Sequence, residues 1–99
     1  MTHEFDPSYY EDLRGRVRGV LISVAENFPT DQLALLEELI DANEPGIALE
    51  MLGEMLVDAK VALHDDVMDA VAGLVETMGL DRELIQQLRT NRGPSENRP

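Results

Sequence analysis

Residues 39–80, LIDANEPGIALEMLGEMLVDAKVALHDDVMDAVAGLVETMGL, read as two helices on either side of a turn, with outward faces crowded by carboxylates. Between Gly19 and Leu88 stand fifteen acidic residues and two basic ones, Lys60 and Arg82, a local net of −13 against −12 for the whole chain. A surface of one sign weakens the folded state by self-repulsion. The imbalance therefore needs a reason beyond the fold, and a basic partner is the simplest.

Working outward from that stretch, the chain reads as one domain. Its 99 residues match the usual size of a single core, and 43% hydrophobic residues suffice to build one. Only four aromatics are present, Phe5, Tyr9, Tyr10 and Phe28, so Leu, Val, Ile, Met and Ala must fill the interior. That composition suits helix-on-helix packing better than a sheet. The expected fold is all-α, a small bundle of about five helices over residues 1–88, followed by a disordered tail over 89–99, which has no apolar residue.

The absence of cysteine excludes a disulfide framework and a Cys-based zinc site. Residues 1–15 lack a basic start followed by an apolar run, so no secretory signal is expected. No apolar run approaches the ~18 residues needed to cross a bilayer. A net charge of −12 disfavours nucleic acid and anionic membranes as direct partners. The expected address is the cytoplasm.

Upstream, Ser8 and Glu11 match a capping box that would start the first helix. Leu13, Val17, Val20, Leu21, Val24 and Phe28 recur at helical spacing, and Pro29 ends the run. Gly15 and Gly19 either permit a close helix crossing or are simply tolerated. Thr30 or Asp31 can cap a second helix to about Ala42, with Leu35, Leu36, Leu39 and Ile40 inward. Asn43-Glu44-Pro45-Gly46 is the break, and proline suits the first turn of the third helix. That helix runs to about Asp58 and should bury Ile47, Ala48, Leu52, Met55 and Leu56.

Beyond a link at Lys60–His64, a fourth helix spans Asp65 to Met78, with carboxylates in its first turns where the helix dipole favours them. Val67, Val71, Leu74, Val75 and Met78 form its apolar face. Gly79 suits a left-handed exit. Asp81 can cap a fifth helix that ends near Leu88, anchored by Leu84, Ile85 and Leu88.

Candidate chemistry is sparse. Asp41–Gly46 resembles the start of a calcium loop, but the fifth and twelfth positions hold Pro45 and Leu52 where oxygen ligands belong. His64-Asp65-Asp66 would need remote ligands to bind a transition metal. The three serines, Ser8, Ser23 and Ser95, have no adjacent base, and no Gly-rich phosphate loop is present. No enzyme, metal or cofactor is expected. Arg14, Arg16 and Arg18 form the one basic cluster; they either pair with acidic neighbours inside the bundle, the favoured reading, or mark the face turned away from a partner.

The stronger signal is an interaction surface. Glu50, Glu54 and Asp58 recur at every fourth position, one stripe along the third helix. Like charges so spaced destabilise a helix, and stability alone would have placed Lys or Arg among them. Glu37, Asp41 and Glu44 lead a second row into the same turn.

These residues resemble MafI-type immunity proteins, the small antidotes found beside secreted polymorphic and contact-dependent inhibition toxins of bacteria. The resemblance rests on Leu39-Ile40-Asp41-Ala42, Glu44-Pro45-Gly46, Ala48-Leu49-Glu50 with Leu52, and Met78-Gly79-Leu80, within about residues 36–88. It implies a helical protein that binds the toxin domain of its own system and blocks its active site. Many such toxins are nucleases with basic clefts.

The expectation is an immunity protein that neutralises a cognate toxin, a ribonuclease for preference, in a one-to-one complex. Asp41, Glu44, Glu50, Glu54 and Asp58 are the expected main contacts, with Asp65 and Asp66 at the rim. An acidic regulatory module that sequesters a transcription or nucleic-acid-binding protein is the alternative. A subunit that dimerises through the first or fifth helix is a third reading.

Overall fold

In the computed structural model, residues 7–96 are described, with side chains from 8 to 90. The helices are α1 (Pro7–Val24), α2 (Thr30–Asp41), α3 (Pro45–Asp58), α4 (Asp65–Met78) and α5 (Glu83–Glu96), and a single 3-10 turn, Ala25–Asn27, extends α1 toward Pro29. No strand occurs among the described residues, so the chain is all-α as its composition requires.

Helices α1 and α3 pack against each other at the centre. Helix α2 bridges them on one side, while α4 lies on α1 and α5 closes the other side against α3 and α4. The core is wholly apolar: no polar or charged side chain is buried among the described residues. Leu36, Ile40, Leu49, Leu52, Leu56, Leu74 and Leu88 fill its middle. A buried leucine is worth about 2–5 kcal/mol against alanine. Leu84 and Leu88, one turn apart, are therefore enough to fasten α5.

Three helices end in the same way. The amide of Glu44 donates to the carbonyl of Leu39 and that of Asn43 to Ile40; Val61 and Lys60 repeat the pattern on Leu56 and Val57, and Leu80 and Gly79 on Val75 and Glu76. Each pair of bonds satisfies carbonyls that the last turn would leave open, and each demands a left-handed residue. Gly79 (φ 68°) fills that position as its sequence suggests, but Asn43 (φ 66°) and Lys60 (φ 57°) do so with a Cβ.

Some boundaries and burials differ from the sequence reading. Helix α1 begins at Pro7, which places Ser8 inside the first turn instead of at its cap. Pro29, held extended by its ring, takes the cap position of α2 expected for Thr30 or Asp31. Asp81 does hold the start of α5, accepting the Glu83 amide at 3.0 Å. The tail expected from Arg89 falls mostly on residues whose side chains lie outside the described set; the α5 backbone is described to Glu96.

Leu35 and Ile47, expected inside, are 49% and 46% exposed. The buried line of α2 runs through Leu36 and Ile40, flanked by Leu33 and Leu39, and Leu35 falls beside it. On α3 the buried line runs through Ala48, Leu49, Leu52 and Leu56, and Ile47 falls off it. Leu49, Met68 and Leu63 are core residues that a single-stripe reading passed over.

The glycines divide sharply. A methyl group added at Gly15 or Gly19 would meet nothing within 4 Å, so these two are tolerated on an open face and no helix crosses closely there. Gly53 is the opposite case: a Cβ would stand 2.5 and 2.8 Å from the two methyls of Leu84. The Leu84 side chain of α5 occupies the space that the missing side chain of Gly53 leaves on α3. Overpacking costs about 1–3 kcal/mol and helix propensity returns up to ~1. In urea titrations Gly53→Ala should accordingly lower stability by about 1–2 kcal/mol, whereas Gly19→Ala should raise it by up to ~1. The Gly53 cost should disappear in a Leu84→Ala background, the signature of a direct contact in a double-mutant cycle. Lys60→Gly should stabilise by about 0.5–1 kcal/mol, since glycine removes the left-handed penalty at that cap.

Candidate functional site

Helix α3 carries Glu50 and Glu54 one turn apart on the flank that faces α5. Opposite them, the turn after α4 supplies Asp81 and the first turn of α5 supplies Glu83. The four carboxylates line one groove of about 310 Å³, with Leu84 and Gln87 as the remaining lining. No Lys or Arg contributes to it. Asp81 is fixed by its bond to the Glu83 amide, and both acids stand at the positive end of α5, whose dipole favours them.

The groove depends on the contact between Gly53 and Leu84. Leu84 comes directly after Glu83 in the chain, so seating it against Gly53 sets Asp81 and Glu83 across from Glu50 and Glu54. None of the four is buried, so each keeps its hydration until a partner displaces it. Among the described residues no three His, Asp or Glu converge tightly enough to hold a metal ion. Carboxylates spread along a groove suit an extended cationic surface better than a single ion.

The other expected contacts lie elsewhere. Arg18 donates through Nε to Glu37 at 3.1 Å and through Nη2 to Asp41 at 2.7 Å, tying α1 to α2. The hydrogen bond to Glu37 is the main reason the Arg18 guanidinium is held in its charged form above its ordinary range; burial acts against it, and the charges of Glu37 and Asp41 add to it. Asp41 is thus engaged in an ion pair within the fold. Arg16 pairs with Asp12 at 3.5 Å and Arg14 donates to Asn43 at 2.9 Å. The arginine cluster therefore serves internal pairing.

Asp58 is exposed at the end of α3 and does not line the groove. Asp66 accepts the Val67 amide at 2.9 Å and borders a shallow depression between α1 and α4, with Asp65 beside it at the start of α4. Of the seven residues expected from sequence, the fold brings together Glu44, Glu50 and Glu54: Glu50 lines both the acidic groove and an adjoining cleft that Glu44 shares. Asp81 and Glu83 were not among the seven. Read along the chain Asp81 is a cap residue and Glu83 carries no signal of its own, and only the docking of α5 gives them a place beside α3.

Set against protein-family models, curated proteins and solved structures, the chain matches none. Among the described residues no helix is long and apolar enough to cross a membrane.

Four like charges around one groove repel each other, and salt screens that repulsion. Glu54→Lys should therefore raise the melting temperature at low ionic strength and shrink its rise with added sodium chloride. Asp66→Lys, away from the groove and in the first turn of α4 where a cation is disfavoured, should not stabilise. Thermal unfolding at two salt concentrations checks both.

Proposed function

We propose that this chain is an immunity protein that binds a cognate secreted toxin domain and neutralises it by covering its substrate cleft. The observation that carries the reading is the groove of Glu50, Glu54, Asp81 and Glu83, four carboxylates with no cation among its lining residues. The resemblance of residues 36–88 to MafI-type immunity proteins supports it. A nuclease cleft is built to hold phosphates with Lys and Arg, and a helical face of carboxylates offers a charge of the same sign as the phosphates. A ribonuclease is the first candidate. The antidote then needs no chemistry of its own, only shape, sign and a few desolvated ion pairs.

On this reading the labour is divided. Long-range attraction from the −12 charge speeds encounter, and the contacts of Glu50, Glu54, Asp81 and Glu83 fix the pose. Its place of action would be the cytoplasm, where a delivered toxin meets its substrate.

Co-expression with the product of the neighbouring gene, co-purification, and an RNA and DNA degradation assay with and without this chain test the proposal. Protection of nucleic acid by a one-to-one complex is expected. A neighbouring product that neither binds nor degrades nucleic acid would overturn it, and binding to a transcription protein instead would favour an acidic regulatory role. In the complex, Glu50→Lys with Glu54→Lys should slow association by about tenfold or more at low salt, with the difference narrowing as salt rises. Stopped-flow rates equal to those of the unaltered chain at every salt concentration would place the contact surface elsewhere.

A further inference from the structure

Beside the acidic groove lies a second cleft, of about 410 Å³, where the start of α1, the α2–α3 turn and the end of α4 meet. Its lining differs in kind. Tyr9 and Tyr10 stand edge to face, with centroids 5.2 Å apart and planes at 79°. Ile47, 46% exposed, and Met78 add apolar surface, and Glu44 and Glu50 add two carboxylates. Neither carboxylate takes part in an ion pair among the described residues. Arg14 is not part of the lining but donates to Asn43, which is, so one cation stands at the cleft's border. The N-terminus of α3 and the C-terminus of α4 both border the cleft, and their opposite half-charges offset. The two carboxylates Glu44 and Glu50 outnumber that cation and set the sign.

We propose that this cleft receives an arginine side chain from a basic segment of the protein partner. This rests on the reading of the chain as a binder of a basic protein and names what it grips. The aliphatic stem of an arginine lies on Ile47 and Met78. Its planar guanidinium stacks on a tyrosine ring and donates to the carboxylates that line the cleft, Glu44 or Glu50, which a lysine ammonium, compact and strongly hydrated, does less well. An aromatic and apolar pocket with carboxylate acceptors in its lining is the setting in which a single arginine anchors an interface. The acidic groove supplies attraction along the flank, and the cleft supplies a seat. Ile47, too exposed to serve the core, gains a role there.

The test is amide NMR of the full chain titrated with the tripeptide Ac-Gly-Arg-Gly-NH2 and with its neutral citrulline analogue. Shifts confined to Tyr9, Tyr10, Gly46, Ile47 and Met78 are expected with the arginine peptide. Binding should be about tenfold weaker, or absent, for the citrulline peptide and for the Glu44→Gln/Glu50→Gln variant, a loss of ~1.4 kcal/mol or more. The exposed changes leave the core intact. Tyr10→Leu should weaken binding several-fold and Asp58→Asn should leave it unchanged. Shifts spread over every acidic face, equal binding of citrulline or lysine peptides, or indifference to Glu44→Gln/Glu50→Gln would overturn the proposal. So would nuclear Overhauser contacts from Phe5 into the cleft, or cleft shifts that grow with protein concentration, which would give it to residues 1–6 or to a second copy. Peptide binding without toxin protection would leave the cleft standing and remove the immunity reading; protection without peptide binding would remove only the arginine seat.

Discussion

The contact of Leu84 with the bare backbone of Gly53 organises the functional side of this protein. A side chain at residue 53 would stand 2.5 Å from a Leu84 methyl, so α5 lies against α3 at a distance that glycine alone permits without movement. The apolar burial of Leu84 and Leu88 drives that docking. Its electrostatic consequence is unfavourable, since it carries Asp81 and Glu83 toward Glu50 and Glu54. A hydrophobic contact thus assembles a groove that charge alone would hold open.

The two sides of the bundle treat charge differently. Between α1 and α2, Arg18 draws Glu37 and Asp41 together and links the helices. Between α3 and α5 nothing comparable occurs among the described residues: Arg82 turns to Glu76 at 3.2 Å and stays out of the groove. Cations are available in the chain and are used where the bundle is braced. Their absence from one groove is a local property, more telling than the net charge, because it survives once internal pairs are subtracted.

Much of this was legible in the residues. Apolar recurrence places all five helices, and Gly79 takes the left-handed turn that its position after Met78 suggests. The left-handed turn at Lys60 was not legible, because the penalty on a β-carbon there is outweighed by the two carbonyls that the turn satisfies. Leu35 and Ile47 misread for a related reason: periodicity gives the direction of a stripe but not its width, and width depends on which neighbour lies opposite.

By itself the sequence determined the all-helical class, the apolar stripes and the excess of negative charge, because these come from residue type and from the 3.6-residue repeat. It singled out Glu50, Glu54 and Asp58 by spacing along one helix, Asp41 and Glu44 in the row before it, and Asp65 and Asp66 at the rim. Only the tertiary structure decided that Asp41 is paired with Arg18, that Asp66 lies on the α1–α4 side, and that Asp81 and Glu83 complete the groove. The reason is range. Spacing along a helix relates residues within a few turns, whereas Glu50 and Glu83 are related by how α5 docks on α3, where Leu84 fills the space that Gly53 leaves open.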